Sequence, residues 1–382
     1  MKVAFLTPEY PHTETGSAGG IGTSIKNLGE ALVQLGHEVS ILVYNQKQDQ
    51  VFQSDSIAIH QIKNLNLKGL SWYLTRKKIE SHINDLYSKQ KIDIVEVPDW
   101  TGITSFIQPK NCPVVIKLHG SDTYFCKLEK RTLKKKNYWH ERKALKNADA
   151  HISVSQYTAD KTNEFFNLSI DFQIIPNGID TAYFQPYKKA TTTPKQILYL
   201  GTLIRKKGLI DLAHIFNHVI KTEPEAQLIL VGGDASDITT GKSSTWEIMK
   251  AIFSKQATEN VEYLGKVPYE KVQGIIQNAD VCVFPSYAEA LPVSWLEAMA
   301  MEKAVVASNI GWGKEVIIHG ESGLLANPSD HQQFAKHILN LFHYPKYKRQ
   351  LEKKARERVV NIFSNYVIAQ QSLSFYKRII NR

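Results

Sequence analysis

The sequence lacks the features that mark several common classes of protein. It holds three cysteines in 382 residues, Cys112, Cys126 and Cys282. No two have metal-ligand spacing and an odd number does not make a disulfide framework, so a reducing compartment is expected. No apolar run approaches the roughly 20 residues that span a bilayer. The opening MKVAFLTPEYP has five apolar residues before Thr7-Pro8; it reads as a first strand, too short for the apolar core of a signal peptide. The expectation is a cytoplasmic protein, free or resting on the inner face of a membrane. Internal repeats and low-complexity tracts are absent as well.

What is present is an alternation of short apolar runs with helix-patterned segments. The length suggests two domains. The formal net charge of +10 suits partners that carry phosphate without choosing among them. In the first half the strand candidates are Val3–Leu6, Val39–Val43, Ile92–Val97, Val114–Leu118, Ala150–Val154 and Gln173–Ile175. In the second half they are Ile197–Leu200, Leu228–Val231, Val261–Leu264, Val281–Phe284 and Ala304–Ala307. Strands that are apolar throughout and separated by helices indicate parallel sheets covered on both faces, so the fold class is α/β, doubly wound. The polar stretch QPYKKATTTPKQ interrupts the series and reads as a linker over 185–195. It divides a Rossmann-like domain at 1–184 from a second at 196–364, and the default ligand site is a cleft facing the carboxyl ends of both sheets. The closing segment 365–382 has helical spacing and no strand.

Four stretches carry candidate chemistry. TGSAGGIGTSIKNLGEALVQ places Gly16, Gly19, Gly20 and Gly22 before a helix, with Thr23 or Ser24 as caps. Glycine admits a close ligand and a helix start offers free N–H groups, a combination that suits phosphate. The dinucleotide G-x-G-x-x-G is incomplete, since Ile25 takes the third glycine position, and a plain strand-to-helix loop is the alternative. VVIKLHGSD brings His119 to the end of a strand, where an imidazole donates to a ligand oxygen or serves a structural bond. GTLIRKKGLID sets Arg205, Lys206 and Lys207 between a strand and a helix, sharing an anion or solvated. PSYAEALPVSWLEAMAM holds Glu289 in a loop, Pro292 as the first residue of a helix, and Glu297 inside that helix. A carboxylate accepts from two neighbouring hydroxyls, as a sugar ring or ribose offers. Dipole compensation accounts for Glu289 alone and poorly for Glu297.

Taken together these stretches resemble the retaining glycosyltransferases of family 4, with two Rossmann-like domains facing across a cleft (GT-B). The likeness covers nearly the whole chain: GGIG, VEVPDW, KLHGSD, NADAHISVS, IIPNGID, GTLIRKKG, LILVGG, VEYLGKVP, ADVCVFPSYAEALPVSWLEAMA and HGESGLLANPSD. Glu289 and Glu297 match the family's E-x7-E signature. The resemblance implies that Glu289 holds hydroxyls of the transferred sugar and Glu297 the nucleotide ribose. It implies that amides at Leu291, Pro292's neighbour Val293 and the helix start meet phosphates and sugar. Gly20 would approach the diphosphate, Arg205 and Lys207 would neutralise it, and His119 would contact the sugar near the reacting carbon. Val267, with Lys266, would lie beside the base, and 365–382 would pack back on the first domain. Asp99 and Trp100 are candidates for the acceptor side. Where the family commonly has Gly-Arg this chain has Gly201-Thr202, so Arg205 must supply the second charge. Trp312 would shape the sugar pocket or simply pack.

The expected activity is transfer of sugar from a UDP- or GDP-sugar to a hydroxyl of a saccharide or lipid-linked acceptor, in envelope polysaccharide or glycoconjugate synthesis. Front-face attack retains the anomeric configuration, and the leaving phosphate takes the proton. No two aspartates are separated by one residue, so the Asp-x-Asp pair of many metal-using transferases is missing and metal-independent transfer without a cofactor is expected. The competing readings are a nucleotide-sugar epimerase and a non-catalytic nucleotide-sugar binding module. Lys127 to Lys146 contains nine Lys/Arg against two Glu; on a helix it would touch an anionic membrane or form a solvated face. A nucleic-acid partner is not expected, since no recognised binding motif accompanies the basic cluster.

Overall fold

The computed structural model describes residues 1–16, 18–187 and 195–382. The chain separates into two compact units, Met1–Gly178 with Ser364–Arg382, and Ile179–Phe363.

The strands of unit 1 are β1 (Lys2–Thr7), β2 (Glu38–Gln46), β3 (Gln50–Ser54), β4 (Ile57–Lys63), β5 (Ile94–Pro98), β6 (Val114–Leu118), β7 (Ala150–Ser153) and β8 (Gln173–Ile174). Its helices are α1 (Gly20–Gln34), α2 (Ser71–Ser88), α3 (Asp122–Leu128), α4 (Lys135–Asn147), α5 (Gln156–Phe166) and, from the end of the chain, α14 (Asn365–Ile380). The sheet order is β3-β4-β2-β1-β5-β6-β7-β8. Alternate side chains of β1 serve opposite cores. Val3 and Phe5 pack with Ile25 and Leu28 of α1 and Ile368 and Tyr376 of α14. Ala4 and Leu6 pack with Ile79 and Ile83 of α2. A strand covered on both faces has no polar side, which is why β1 is legible as a continuous apolar run.

Two strands depart from that pattern and escape the sequence reading. β3 runs antiparallel to β4 at the sheet edge, so unit 1 is not wholly parallel. The stretch VFQSDSIAIHQIK interleaves polar residues because the edge is solvated, and Val51 is left 59% exposed. The short β14 of unit 2 is missed as well.

Unit 2 contains β9 (Gln196–Leu200), β10 (Gln227–Val231), β11 (Val261–Tyr263), β12 (Val281–Phe284), β13 (Ala304–Ser308) and β14 (Leu324–Ala326). Its helices are α6 (Leu209–Thr222), α7 (Thr245–Lys250), α8 (Lys255–Glu259), α9 (Tyr269–Asn278), α10 (Val293–Ala300), α11 (Gly311–Val316), α12 (His331–His343) and α13 (Pro345–Arg358). All strand pairs are parallel, in the order β11-β10-β9-β12-β13-β14. Trp295 of α10 is fully buried and stacks on Phe284, with ring centroids 5.8 Å apart. Trp312 is likewise fully buried and packs inside the unit.

The chain passes between the units at Gly178/Ile179 and again at Phe363/Ser364. Residues 179–184, grouped by sequence with the first domain, therefore belong to unit 2, where Ile179 and Phe184 are buried. Arg356 donates to the carbonyls of Phe184 and Thr181 and fastens this segment. The linker 185–195 thus begins inside unit 2, and its residues 188–194 lie outside the described residues. The closing helix α14 belongs to unit 1, where the Tyr376 hydroxyl donates to the buried Glu96 carboxylate at 2.5 Å. No helix among the described residues is long and apolar enough to cross a membrane.

Candidate active site

In each sheet the strand order reverses beside the first strand of the unit, between β1 and β5 and between β9 and β12. Helices leave such a pair in opposite directions, and the crevice beyond the carboxyl ends is the natural ligand position. The candidate residues of unit 2 follow β9 and β12.

After β9 the chain turns through Arg205–Lys207 to Gly208, whose φ is +72°. A Cβ on Gly208 would sit 1.9 Å from the carbonyl oxygen of Pro285. Only glycine lets this turn press against the loop that leaves β12. The amide of Tyr287 donates to the carbonyl of Lys206 at 2.8 Å and locks the two loops together. Lys207 Nζ thereby stands 3.3 Å from Glu289 Oε1, although the residues are 82 positions apart (289 − 207). Ser286 Oγ donates to the same Glu289 oxygen at 3.2 Å. Behind them the buried Tyr199 hydroxyl donates to the Thr202 carbonyl at 3.0 Å.

Arg205 is placed differently. Its guanidinium makes two bonds of 2.7 Å to the carboxylate of Asp237, which holds that acid far below its ordinary range. Asp237 also accepts from Thr240 and is 1% exposed. Lys207, by contrast, is paired with a signature acid, Glu289.

Pro292 is the cap of α10 and not its first residue. Leu291 and Pro292 are buried, Val293 is half-buried, and Pro292 as the cap residue makes no side-chain bond to the amides that open the helix. Glu297 lies in the second turn, 5% exposed. Burial pushes its carboxyl up to about 7, against a lowering by the Tyr269 hydrogen bond and by Lys207. The Tyr269 hydroxyl donates to Glu297 Oε1 at 2.9 Å. Tyr269 opens α9 directly after the loop of Lys266 and half-buried Val267, and Tyr183 stacks parallel to it at 6.4 Å. Nothing in the sequence links Tyr269 to an acid 28 residues on; the link exists because β11 and β12 deliver their following helices to one end of the sheet.

Unit 1 carries a second constellation at its own switch point. Gly20 is exposed as the first residue of α1, with open space where a Cβ would be. Neither Thr23 nor Ser24 caps this helix: Thr23 bonds back to the Gly19 carbonyl and Ser24 donates to Asn177. Glu9 accepts instead from the amides of Gly19 and Gly22 at 2.9 and 3.2 Å. A carboxylate thus fills the anion-favouring helix start, and an acid just ahead of a glycine-rich helix start is the signal that was available in the sequence. Asp99 follows β5 and is 5% exposed, with its carboxyl pushed up to about 7 by burial. It accepts from the His119 amide at 2.9 Å, so it positions the histidine loop. Half-buried Trp100 begins a 3-10 turn in which Thr101 takes a left-handed φ of +52°. Burial, then the Lys117 charge, lowers the His119 imidazole to about 3, so it is neutral near pH 7. Among the described residues no group of three His, Cys, Asp or Glu is arranged to hold a metal ion.

Family models match both halves of the chain. The model described as Glycosyltransferase Family 4 matches residues 18–183, and the model described as Glycosyl transferases group 1 matches residues 183–358. The chain is a family 4 glycosyltransferase of the GT-B type. Alpha-maltose-1-phosphate synthase of Mycolicibacterium smegmatis is 27% identical to this glycosyltransferase over 415 positions, covering 99% of this chain and 100% of that one. Among solved structures, sucrose-phosphate synthase from Thermosynechococcus elongatus matches with a TM-score of 0.81 at 23% identity, covering 100% of both chains. HepE of Anabaena, solved in complex with UDP and glucose, matches with a TM-score of 0.75 at 18% identity, covering 99% of each. At those identities the structural likeness speaks for the fold.

Proposed function

We propose that this glycosyltransferase takes sugar from a nucleoside-diphosphate sugar, UDP- or GDP-linked, and passes it with retention to a hydroxyl of a saccharide or lipid-linked acceptor in envelope polysaccharide or glycoconjugate synthesis. The observation that carries the reading is the Lys207–Glu289 pair beside buried Glu297, at the switch point of unit 2. Breaking a sugar–phosphate bond adds negative charge to the diphosphate and positive charge to the anomeric carbon. Lys207 and the amides at the start of α10 stabilise the first, in a site where fixed dipoles need no reorganisation. Glu289 accepts from sugar hydroxyls, and Glu297 offers its second oxygen to the ribose while Tyr269 occupies the first. His119, being neutral, has one N–H and one lone pair for a sugar hydroxyl. The acceptor enters on the face the phosphate leaves, and that phosphate takes the proton, so no covalent nucleophile is assigned. The counter-charge is supplied by the chain, without a metal. UDP, bound in the Anabaena structure, is the first nucleotide to try.

The test is a thermal-shift series with UDP, GDP and ADP, followed by proton NMR of the anomeric signal during turnover with and without EDTA. One nucleotide stabilising the protein, an α-product from an α-donor and indifference to EDTA are expected. An inverted product, or conversion of the donor sugar without transfer to acceptor or water, refutes the reading.

A further inference from the structure

The loop leaving β4 carries apolar side chains that the fold does not bury. Leu65, Leu67 and Leu70 are 41%, 51% and 51% exposed. A single exposed leucine is ordinary, but three on one turn form a patch. The turn is held in shape: the amides of Leu70 and Ser71 donate to the Leu67 carbonyl at 3.0 and 2.9 Å. Ser71 Oγ also accepts from the Leu67 amide at 2.8 Å. Trp72 then opens the first turn of α2 and meets the ring of Phe106 at 5.3 Å, and Phe106 meets Trp139 of α4 at 5.7 Å. Trp139 is itself 50% exposed. Apolar surface thus continues from the leucine turn to α4.

Basic side chains dominate the charges around this surface, although Lys77 and Lys78 are paired with Glu80 and Asp49. Positions 64–79 contain no acid. Across 130–146 the acid is Glu141, 1% exposed, whose carboxylate accepts from the amides of Asp122 and Thr123. Just outside, Glu129 is held by Arg131. Lys68 and Lys134 to Lys136 are exposed. Lys143 Nζ lies 3.7 Å from the Phe106 ring centroid, and Lys136 Nζ lies 5.7 Å from that of Trp72. Such lysines lay their alkyl stems on apolar surface and keep the ammonium at its rim. The basic run expected to be one helix is in fact broken, with α3 ending at Leu128 and α4 starting at Lys135. The break places Lys136 beside Trp72, with Lys134 and Lys135 just ahead of it in the chain.

We propose that this face of unit 1 seats the protein on an anionic lipid bilayer, and that the acceptor hydroxyl is borne by a lipid. Leucine and tryptophan inside a lysine rim match the two layers of an anionic membrane surface. A second copy of the chain is a poor occupant, because each copy carries +10 and like charges would meet. The loops after β4, β5 and β6 leave the same end of the parallel sheet, so the patch stands at the end that holds Asp99, Trp100 and His119. The lipid-acceptor half rests on the transferase reading; the docking half does not.

Sedimentation of the full chain with vesicles tests the docking, using phosphatidylcholine alone and with about one-third phosphatidylglycerol. The wild type should bind the anionic vesicles only, and salt of about 1 M should release it. Leu67→Ser with Leu70→Ser, and separately Lys134→Gln with Lys135→Gln and Lys136→Gln, should each weaken binding roughly tenfold with unchanged melting. Absence of vesicle binding, indifference to the leucine pair, or a leucine-dependent dimer in solution overturns the docking. For the acceptor, label from the donor sugar is followed in the presence of vesicles of total bacterial lipid. Label in the organic-solvent fraction is expected, and label confined to water refutes the lipid acceptor. Slow donor hydrolysis without acceptor, unchanged in the leucine variant, separates the two failures. If it persists while vesicles are ignored, docking alone is wrong; if it is absent in the wild type, the transferase reading is wrong.

Discussion

Glu297→Gln should stabilise the protein while weakening its hold on nucleotide. The carboxyl of Glu297 is 5% exposed and raised from 4.5 to about 7. The folded state therefore favours the protonated form. Its stabilising contribution is complete below the unfolded-state value and is lost as pH rises through about 7. At about 1.4 kcal/mol per unit, the ionised side chain then costs up to roughly 3 kcal/mol. Glutamine keeps the shape and a carbonyl for Tyr269 but never ionises. The variant should melt close to wild type at about pH 4.5 and several degrees above it at about pH 8, at roughly 2–4 °C per kcal/mol. Differential scanning calorimetry across that range measures the gap directly. In parallel, titration calorimetry with UDP or GDP should show weaker binding at about pH 8, since an amide accepts less strongly than a carboxylate. A gap that does not widen with pH, or a variant less stable than wild type at about pH 8, would refute the reasoning.

Other substitutions separate the neighbouring roles. Tyr269→Phe removes the 2.9 Å bond to Glu297, raises that carboxyl further and should weaken nucleotide binding roughly tenfold near neutrality, with recovery by about pH 9; an equal loss at every pH would mean that Tyr269 only packs. Lys207→Ala should lower kcat on the order of 10²–10³, by analogy with a lost oxyanion donor, and full activity in that variant would remove Lys207 from the mechanism. Arg205→Ala should act chiefly on stability, costing roughly 1–3 kcal/mol because Asp237 is left buried while the arginine itself is partly solvated. Asp237 is depressed by Arg205, so that penalty is present at neutral pH and should shrink as pH falls below about 4, where Asp237 protonates in the variant. A normal melting curve combined with lost turnover would return Arg205 to the diphosphate.

Much of this architecture is legible in the chain because parallel strands buried on both faces must be apolar throughout, and β1, β6 and β12 read that way. The edge hairpin of β3 and β4 was not, since a solvated edge alternates polar and apolar residues and imitates a loop. The compact units divide earlier than the polar stretch begins, at Gly178/Ile179, for a related reason. Gln185 begins the polar composition, but Ile179 and Phe184 are already buried in unit 2. Glu289, Glu297 and Lys207 were visible as residue types near strand ends. Asp237 was not, since it works through Arg205, contributed by another loop, whereas Glu9 bonds within its own strand-to-helix connection and could have been picked out.

By itself the sequence determined the α/β class, two units, the glycine-rich turns and the spacing of the signature acids, because those follow from local patterns of burial and backbone freedom. Only the tertiary structure decided which charges meet. β9 and β12 are sheet neighbours although about 80 residues separate them, and Gly208 leaves room for their loops to touch, so Lys207 reaches Glu289 while Arg205 is claimed by Asp237. Pairing of that kind depends on strand order and on close approach of backbones, which no run of neighbouring residues encodes.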